Sequence, residues 1–462
     1  MEDSFSGILT FSFMVFMIWS GALLRKKISF LQFSLLPASI VGGLLGFVLI
    51  SLDWSFNQES ENFVPFAFHF FTLSFMSLAL IKENKDSPKP GPKVSTNLGA
   101  LWLSVAWTVS LGMQALVGLI GISLYNHFSE QGLPESLGML VTHGFTQGPG
   151  QALAMGSIWQ EQFGIKYAVN FGLIYASVGF IVAFLIGIPI ARSALRRGLN
   201  ESNDVSLNEA LITGFHNSKE GPLLGKEVTH SSNVDSLIFH LGLLGLAYLV
   251  TNEFLLLARA VFEHSSVLGL PVKVLFSYNL FFVYGLIICL FLRFIMGKLG
   301  LDYLFDPSTQ KHITGSSVDL MIVSTVMGIQ ISFLLEFFIP IAVVCSLVTL
   351  ATIILCFGFG KRLRNQRVER SLAIFGCCTG STGSGLLLLR VVDPNFSTTV
   401  SKELVYFNAL IIFLSMHILM LVAPFTPSID LIFISAIYMA TCAVGFLILF
   451  FSFTPHLIPS TP

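Results

Sequence analysis

Charge is what this sequence has least of. Asp, Glu, Lys and Arg make up 11% of its 462 residues, against 54% hydrophobic residues. Soluble domains use about 25% charged residues, so this chain has too little polar surface to face water on all sides. Its mean hydropathy is +0.79, which places it among integral membrane proteins. A net charge of −1 leaves no basic surplus for binding nucleic acid. Cysteine is also scarce. Cys289, Cys345, Cys356, Cys377, Cys378 and Cys442 show neither metal-ligand spacing nor an extracellular disulfide framework, and they read as small packing residues. No H-E-x-x-H and no G-x-S-x-G occurs, so the chain is not expected to be an enzyme. The opening MEDSFSG has no basic residue ahead of the first apolar run, and no cleaved signal peptide is expected.

What is abundant is apolar length. A helix crossing the hydrocarbon core takes about 20 apolar residues. Eleven runs qualify as candidates: 6–24, 35–52, 63–82, 98–125, 166–191, 235–258, 273–297, 316–334, 337–359, 402–424 and 430–453. Two further apolar stretches, 137–160 and 371–392, are interrupted by glycine and polar residues and make poor full spans. One long polar segment, 192–234, separates two halves near mid-chain.

Lysine and arginine in short loops stay on the cytoplasmic side. Arg25, Lys26 and Lys27 follow the first run; Lys82, Lys85, Lys89 and Lys93 follow the third; Arg192, Arg196 and Arg197 follow the fifth. The N-terminus is therefore expected outside and the central linker inside. In the second half KRLRNQRVER (361–370) is the strongest basic run and marks a cytoplasmic, lipid-facing loop. The stretch 137–160 then enters from outside and 371–392 from inside. Five helices per half in opposite orientation make an inverted repeat.

The two interrupted stretches support that duplication. HGFTQGPGQALAMGSIWQE (143–161) faces FGCCTGSTGSGLLLLRVVD (375–393), each with glycines four apart, then an apolar run and an acid. The helices that follow carry one asparagine each near their start, Asn170 and Asn408. Non-helical backbone inside a membrane must be buried in protein or line a watery cavity. Paired in inverted halves, such stretches mark substrate and ion sites of secondary transporters, where half-helix N–H groups suit a carboxylate and free carbonyls suit Na⁺. Close helix packing and a channel filter are the competing readings.

The arrangement resembles the bacterial sodium/glutamate symporter family. That family carries a Gly- and His-containing hairpin in its first half, matched here by His143, Gly144, Thr146, Gly148 and Gly150. A second glycine-rich hairpin is matched by Gly376, Gly380, Ser381, Thr382 and Gly383. LPASIVGGLLG resembles the family's second helix at Val41, Gly42, Gly43 and Leu44, and SSVDLMIVSTVMGIQ resembles an eighth-helix segment at Val318 to Met327. Gln147, Pro149 and Gln151 depart from the family's first hairpin, and Leu386 to Arg390 replace small polar residues in the second. The resemblance implies glutamate as substrate, Na⁺ as coupling ion, a homodimer, an elevator-like displacement and the cell inner membrane.

The expected fold is an all-α polytopic membrane protein of two inverted five-helix repeats, each with a re-entrant hairpin, plus an extra C-terminal helix. Residues 1–191 form the first repeat with hairpin 137–160; 192–234 the cytoplasmic linker; 235–424 the second repeat with hairpin 371–392; and 425–462 the extra helix and tail. The expected function is secondary transport of a small organic anion, coupled to Na⁺ or H⁺. A cation/proton antiporter, or a carrier of another organic anion, is the alternative. Substrate is assigned to His143, Gly144, Thr146, Gln147, Gly148, Gly150 and Gln151, to Thr379, Gly380, Ser381, Thr382 and Gly383, and to Arg390, whose guanidinium suits a carboxylate. The coupling ion is assigned to Asp319, Asp393, Asn170 and Asn408. Competing roles are an interface charge for Asp319, a partner of Arg390 for Asp393, and helix-bridging amides for the two asparagines.

Overall fold

The apolar runs fold into helices, because a chain in hydrocarbon must satisfy its backbone groups within itself. A computed structural model describes residues 2–81, 93–129, 132–202, 212–215, 227–230, 232–267, 269–394 and 396–451. Lys82, Lys85 and Lys89, residues 203–211, 216–226 and 231 of the linker 192–234, and the tail after residue 451 lie outside the described residues. The α-helices are α1 (Glu2–Lys27), α2 (Ser29–Ser34), α3 (Ala38–Ser51), α4 (Val64–Leu80), α5 (Lys93–Phe128), α6 (Ser136–Met139), α7 (Val141–Phe145), α8 (Pro149–Phe163) and α9 (Ala168–Arg196). They continue with α10 (Ser236–Val261), α11 (Phe281–Lys298), α12 (Pro307–Met327), α13 (Ile331–Glu336), α14 (Phe338–Gly360), α15 (Arg367–Thr379), α16 (Thr382–Val392), α17 (Val400–Met416) and α18 (Leu431–Phe451). The only strands among the described residues are the two-residue pair Ser266–Val267 and Leu270–Pro271.

The protein is a multi-pass membrane protein. Among the described residues eight helices are long and apolar enough to cross a bilayer, or nine if the bent pair Val400–Asn408 and Phe413–Ser428 counts as one span. Large apolar side chains stand exposed on them, among them Leu249, Leu257, Phe413 and Ile432, as lipid-facing positions do. Two of the eleven expected spans differ for physical reasons. The run 35–52 is a 14-residue helix, because Pro37 precedes its first turn and the helix begins at Ala38. The run 316–334 is divided: α12 starts earlier, at Pro307, takes in Lys311, His312 and Asp319, and stops at Met327, ahead of Gly328.

The chain forms two compact units. The first comprises Met1–Trp19, Gly42–Lys89 and His216–Gly328. Its α4 and α12 are tied where Ser77 Oγ donates to the Gln310 carbonyl at 3.1 Å and Thr314 Oγ1 donates to Ser77 Oγ at 2.9 Å. Gly42, Gly43 and Gly46 of α3 meet the Met17 backbone, Val326 and Met327, so small residues let these backbones approach closely. Phe13, Met14, Met17, Phe63, Val323 and Met327 form one core there. His69 Nδ1 lies 2.6 Å from Tyr248 Oη, and buried His240 bonds the Ser236 carbonyl and the Asp306 N–H.

The second unit comprises Ser20–Val41, Pro90–Phe215 and Ile329–Pro462. Both interrupted stretches belong to it. α5 is its longest helix, at 36 residues, and packs against α14, α17 and α18. The last apolar run, 430–453, is the helix α18, seated on α5 through buried Tyr438 and Cys442. All six cysteines are buried, in keeping with a packing role. The basic run 361–370 departs from the expectation of a lipid-facing loop at its end. Glu369 and Arg370 are buried, because Arg370 forms a two-pronged ion pair with buried Glu403 of α17.

Candidate functional site

Each interrupted stretch is a pair of helices separated by a short break. In the first, α7 ends at Phe145, Gly148 stands at φ +85° and ψ −179°, and α8 starts at Pro149. That backbone geometry is open essentially to glycine alone. Pro149 then suits the first helical position, because it has no N–H to lose. In the second, α15 ends at Thr379 and α16 starts at Thr382, with Ser381 as its cap: the Ser381 hydroxyl accepts from the Ser384 N–H at 3.4 Å.

The two breaks meet. A Cβ on Gly148 would stand 3.0 Å from the Gly380 carbonyl oxygen. Gly179 of α9 fits against both, since a Cβ there would lie 2.6 Å from the Thr379 carbonyl oxygen and 3.3 Å from the Phe145 Cα. Within the second pair Gly376 packs on the Gly385 backbone, which closes α15 onto α16.

The junction holds buried polar groups that no described residue matches. His143, Thr146 and Gln151 are buried. His143 Nδ1 lies 2.7 Å from Gln147 Oε1, but His143 Nε2, Gln147 Nε2 and Gln151 Oε1 have no hydrogen-bond partner among the described residues. Such atoms are costly unless something else satisfies them. The Gly148 position at the start of α8 supplies no side-chain cap. The first N–H groups of a helix carry partial positive charge, and the last carbonyls partial negative charge. Here the start of α8 and the end of α15 lie side by side. The arrangement offers donors for an anion and carbonyl or hydroxyl oxygens for a hard cation such as Na⁺.

The other expected site residues are placed as follows. Gly144 packs on Tyr175 and Ala176 of α9, and Gly150 is buried in the first turn of α8. Thr382 Oγ1 donates to Asn408 Oδ1 at 2.8 Å, so Asn408 reaches the start of α16, beside exposed Gly383. Asn170 Nδ2 donates to Gln330 Oε1 at 3.2 Å, at the residue preceding α13. Arg390 is exposed at the far end of α16, its guanidinium over the Phe396 ring at 5.0 Å. Asp393 is buried and fully occupied: its oxygens accept from Ser202 Oγ, from the N–H and hydroxyl of Ser397, and from the N–H and hydroxyl of Thr398. Asp319 is exposed on α12 and belongs to the first unit, whereas the breaks belong to the second.

Sequence reasoning passed over three residues of α5 that line the first break. Trp107 Nε1 donates to the Thr146 carbonyl at 3.1 Å, Ser110 Oγ lies 3.3 Å from Thr146 Oγ1, and Gln114 Oε1 accepts from Thr146 Oγ1 at 2.6 Å. Their spacing of three and four residues puts them on one helix face. A lone buried amide in the middle of an apolar run was the available signal.

A family model described as "Sodium/glutamate symporter" matches residues 4–363. The chain belongs to the sodium/glutamate symporter family. The sodium/glutamate symporters of Escherichia coli (strain K12) and of Shigella flexneri are each 21% identical to it over 386 residues, covering 81% of this chain and 86% of theirs. By its name the family is one of transporters. The model's match ends at residue 363, ahead of the second break, whose place beside the first rests on the geometry above.

Proposed function

We propose that this chain is a secondary active transporter that carries L-glutamate inward with Na⁺. The substrate and ion are held where the two breaks meet. The observation that carries the reading is the contact of Gly148 with the Gly380 carbonyl, among buried polar atoms that have no partner among the described residues. The names of the relatives supply glutamate and Na⁺. The substrate carboxylates take the N–H groups at the start of α8 with Gln147 and His143, and Gln151 Oε1 accepts from the ammonium. Na⁺ takes carbonyl and hydroxyl oxygens at the end of α15 and the start of α16, where Thr379, Gly380, Ser381, Thr382 and Asn408 lie. Na⁺ bound beside the carboxylate offsets its desolvation, so each ligand raises the affinity of the other.

In this reading α7–α8 and α15–α16 are re-entrant hairpins of two inverted repeats, 1–191 and 235–424. The N-terminus lies outside, and the linker 192–234 and the run 361–370 lie on the cytoplasmic side of the inner membrane. The protein works as a homodimer. The test is uptake of labelled L-glutamate into proteoliposomes under an inward Na⁺ gradient, with K⁺ replacing Na⁺ in parallel. Accumulation that requires Na⁺ is expected. Accumulation driven equally well by a proton gradient without Na⁺ would replace Na⁺ with H⁺, and no glutamate uptake in either condition would remove glutamate.

A further inference from the structure

Gln114 is hydrogen-bonded at once to the first break and to the last turn of α15, which leads into the second. Its Oε1 accepts from Thr146 Oγ1 at 2.6 Å, and its Nε2 donates to the Cys378 carbonyl at 2.8 Å and to Thr352 Oγ1 at 2.9 Å. Thr146 is the first residue of the α7–α8 break, and Cys378 lies in the last turn of α15, whose carbonyls have no helical partner of their own. The amide is buried and stands in α5, while Thr352 belongs to α14, two helices outside the hairpins. The two ends of one planar group are therefore committed to opposite breaks. Moving either break relative to α5 must break a buried hydrogen bond or drag the other break with it.

We propose that Gln114 is the positioning residue that couples the two ligands: it fixes the first break, where the substrate binds, to the carbonyl row of the second, where the cation binds. The inference rests on the symport reading above. Cation capture at the end of α15 orients the Cys378 carbonyl and its neighbours. Through Gln114 that orientation sets Thr146, and with it the start of α8. Thr146 is further held by Trp107 through its carbonyl and lies beside the Ser110 hydroxyl, so its geometry is set on the α5 side as well. Gln114 touches neither ligand and acts only through these two partners. An amide serves here because one face accepts and the other donates; a carboxylate cannot donate to a carbonyl.

The experiment is equilibrium binding of labelled L-glutamate to the purified full-length protein, in Na⁺ and in K⁺. The readout is the ratio of the two dissociation constants. Coupling between sites in proteins typically amounts to about 5–150-fold, and a wild-type ratio in that range is expected. Gln114→Leu and Thr146→Val are each expected to bring the ratio close to one, and in Gln114→Leu binding in K⁺ stays near that of the wild type. Gln114→Glu is expected to lose the coupling at neutral pH and regain it as the pH falls, because a neutral carboxyl again both donates and accepts. Thr352→Val, which removes only the third partner, is expected to keep the ratio. A packing role for Gln114 would lower affinity in Na⁺ and K⁺ alike. A wild-type ratio well above one that persists in both Thr146→Val and Gln114→Glu at neutral pH overturns the role of Gln114 and leaves symport standing. A wild-type ratio of one overturns the symport reading and this inference with it. Should Gln114→Leu fail to fold, Thr146→Val and Gln114→Glu decide.

Discussion

Asp393 is a carboxylate whose oxygens are taken up by the protein's own donors. Burial pushes its carboxyl up, but hydrogen bonds from the Thr398 hydroxyl and N–H, and from Ser397, outweigh it and hold the group below the usual carboxylate range. A depressed folded-state pKa contributes stability that is present above the ordinary carboxylate range and is lost as pH falls through the lowered value. Asp393→Asn keeps the shape and removes the charge; its amide oxygen still accepts, but its amide nitrogen cannot accept from the Ser397 or Thr398 N–H, so one set of bonds weakens and the other is lost. Hydrogen bonds to charged groups contribute about 1.5–3 kcal/mol, and thermal denaturation at neutral pH should register a loss within that range. The difference from wild type should shrink as the solution is acidified. No such gap at neutral pH would mean that Asp393 is not held as an anion. The sequence assigns Asp393 to the coupling ion as the acid that follows the second glycine-rich stretch. Its acceptor role depends on Ser202, 191 residues away in sequence, which no local pattern reveals.

At the scale of elements, the base of α15 is fastened to α17 by the Arg370–Glu403 pair, at 2.7 and 2.8 Å with both side chains buried. Gly99 of α5 makes room for it, since a Cβ there would run into the Glu403 carboxylate. Removing one member of a buried pair leaves an uncompensated charge, at a cost of about 3–5 kcal/mol, whereas replacing both by apolar groups is often near neutral. Arg370→Met is therefore expected to lower the melting temperature sharply, and Arg370→Met with Glu403→Leu to recover most of it. Equal losses in the single and double variants would show that the pair is not the fastening. The long apolar helices, the two glycine-rich interruptions and the extra final helix were legible in the sequence, because length and breaks of periodicity are local properties. The ends of α3 and α12 were less so. The polar first half of α12 joins a helix through its contacts with Ser77 of α4, and only folding brings those residues together. Gln114 was hidden for the same reason: one amide in an apolar run has no meaning until its two partners are known.

At the scale of the whole molecule, the second unit is where two helix breaks come together from distant parts of the sequence, among buried polar side chains. Family membership accounts for the fold class, and the proposed transport site is the junction at which Gly148 meets the Gly380 carbonyl. The measurement that tests this most directly is Na⁺-driven glutamate uptake by Gly148→Ala, set beside Gly164→Ala. Both glycines have positive φ, +85° and +67°, so both variants carry a backbone penalty of order 1–3 kcal/mol. Only Gly148 faces the second break; Gly164 caps the far end of α8, with open space where a Cβ would go. With equal amounts of folded protein in the vesicles, Gly148→Ala should lose at least about tenfold in uptake, the equivalent of 1.4 kcal/mol at the site, and Gly164→Ala should stay near wild type. Equal uptake by the two variants would contradict the placement of the transport site at the meeting of the breaks.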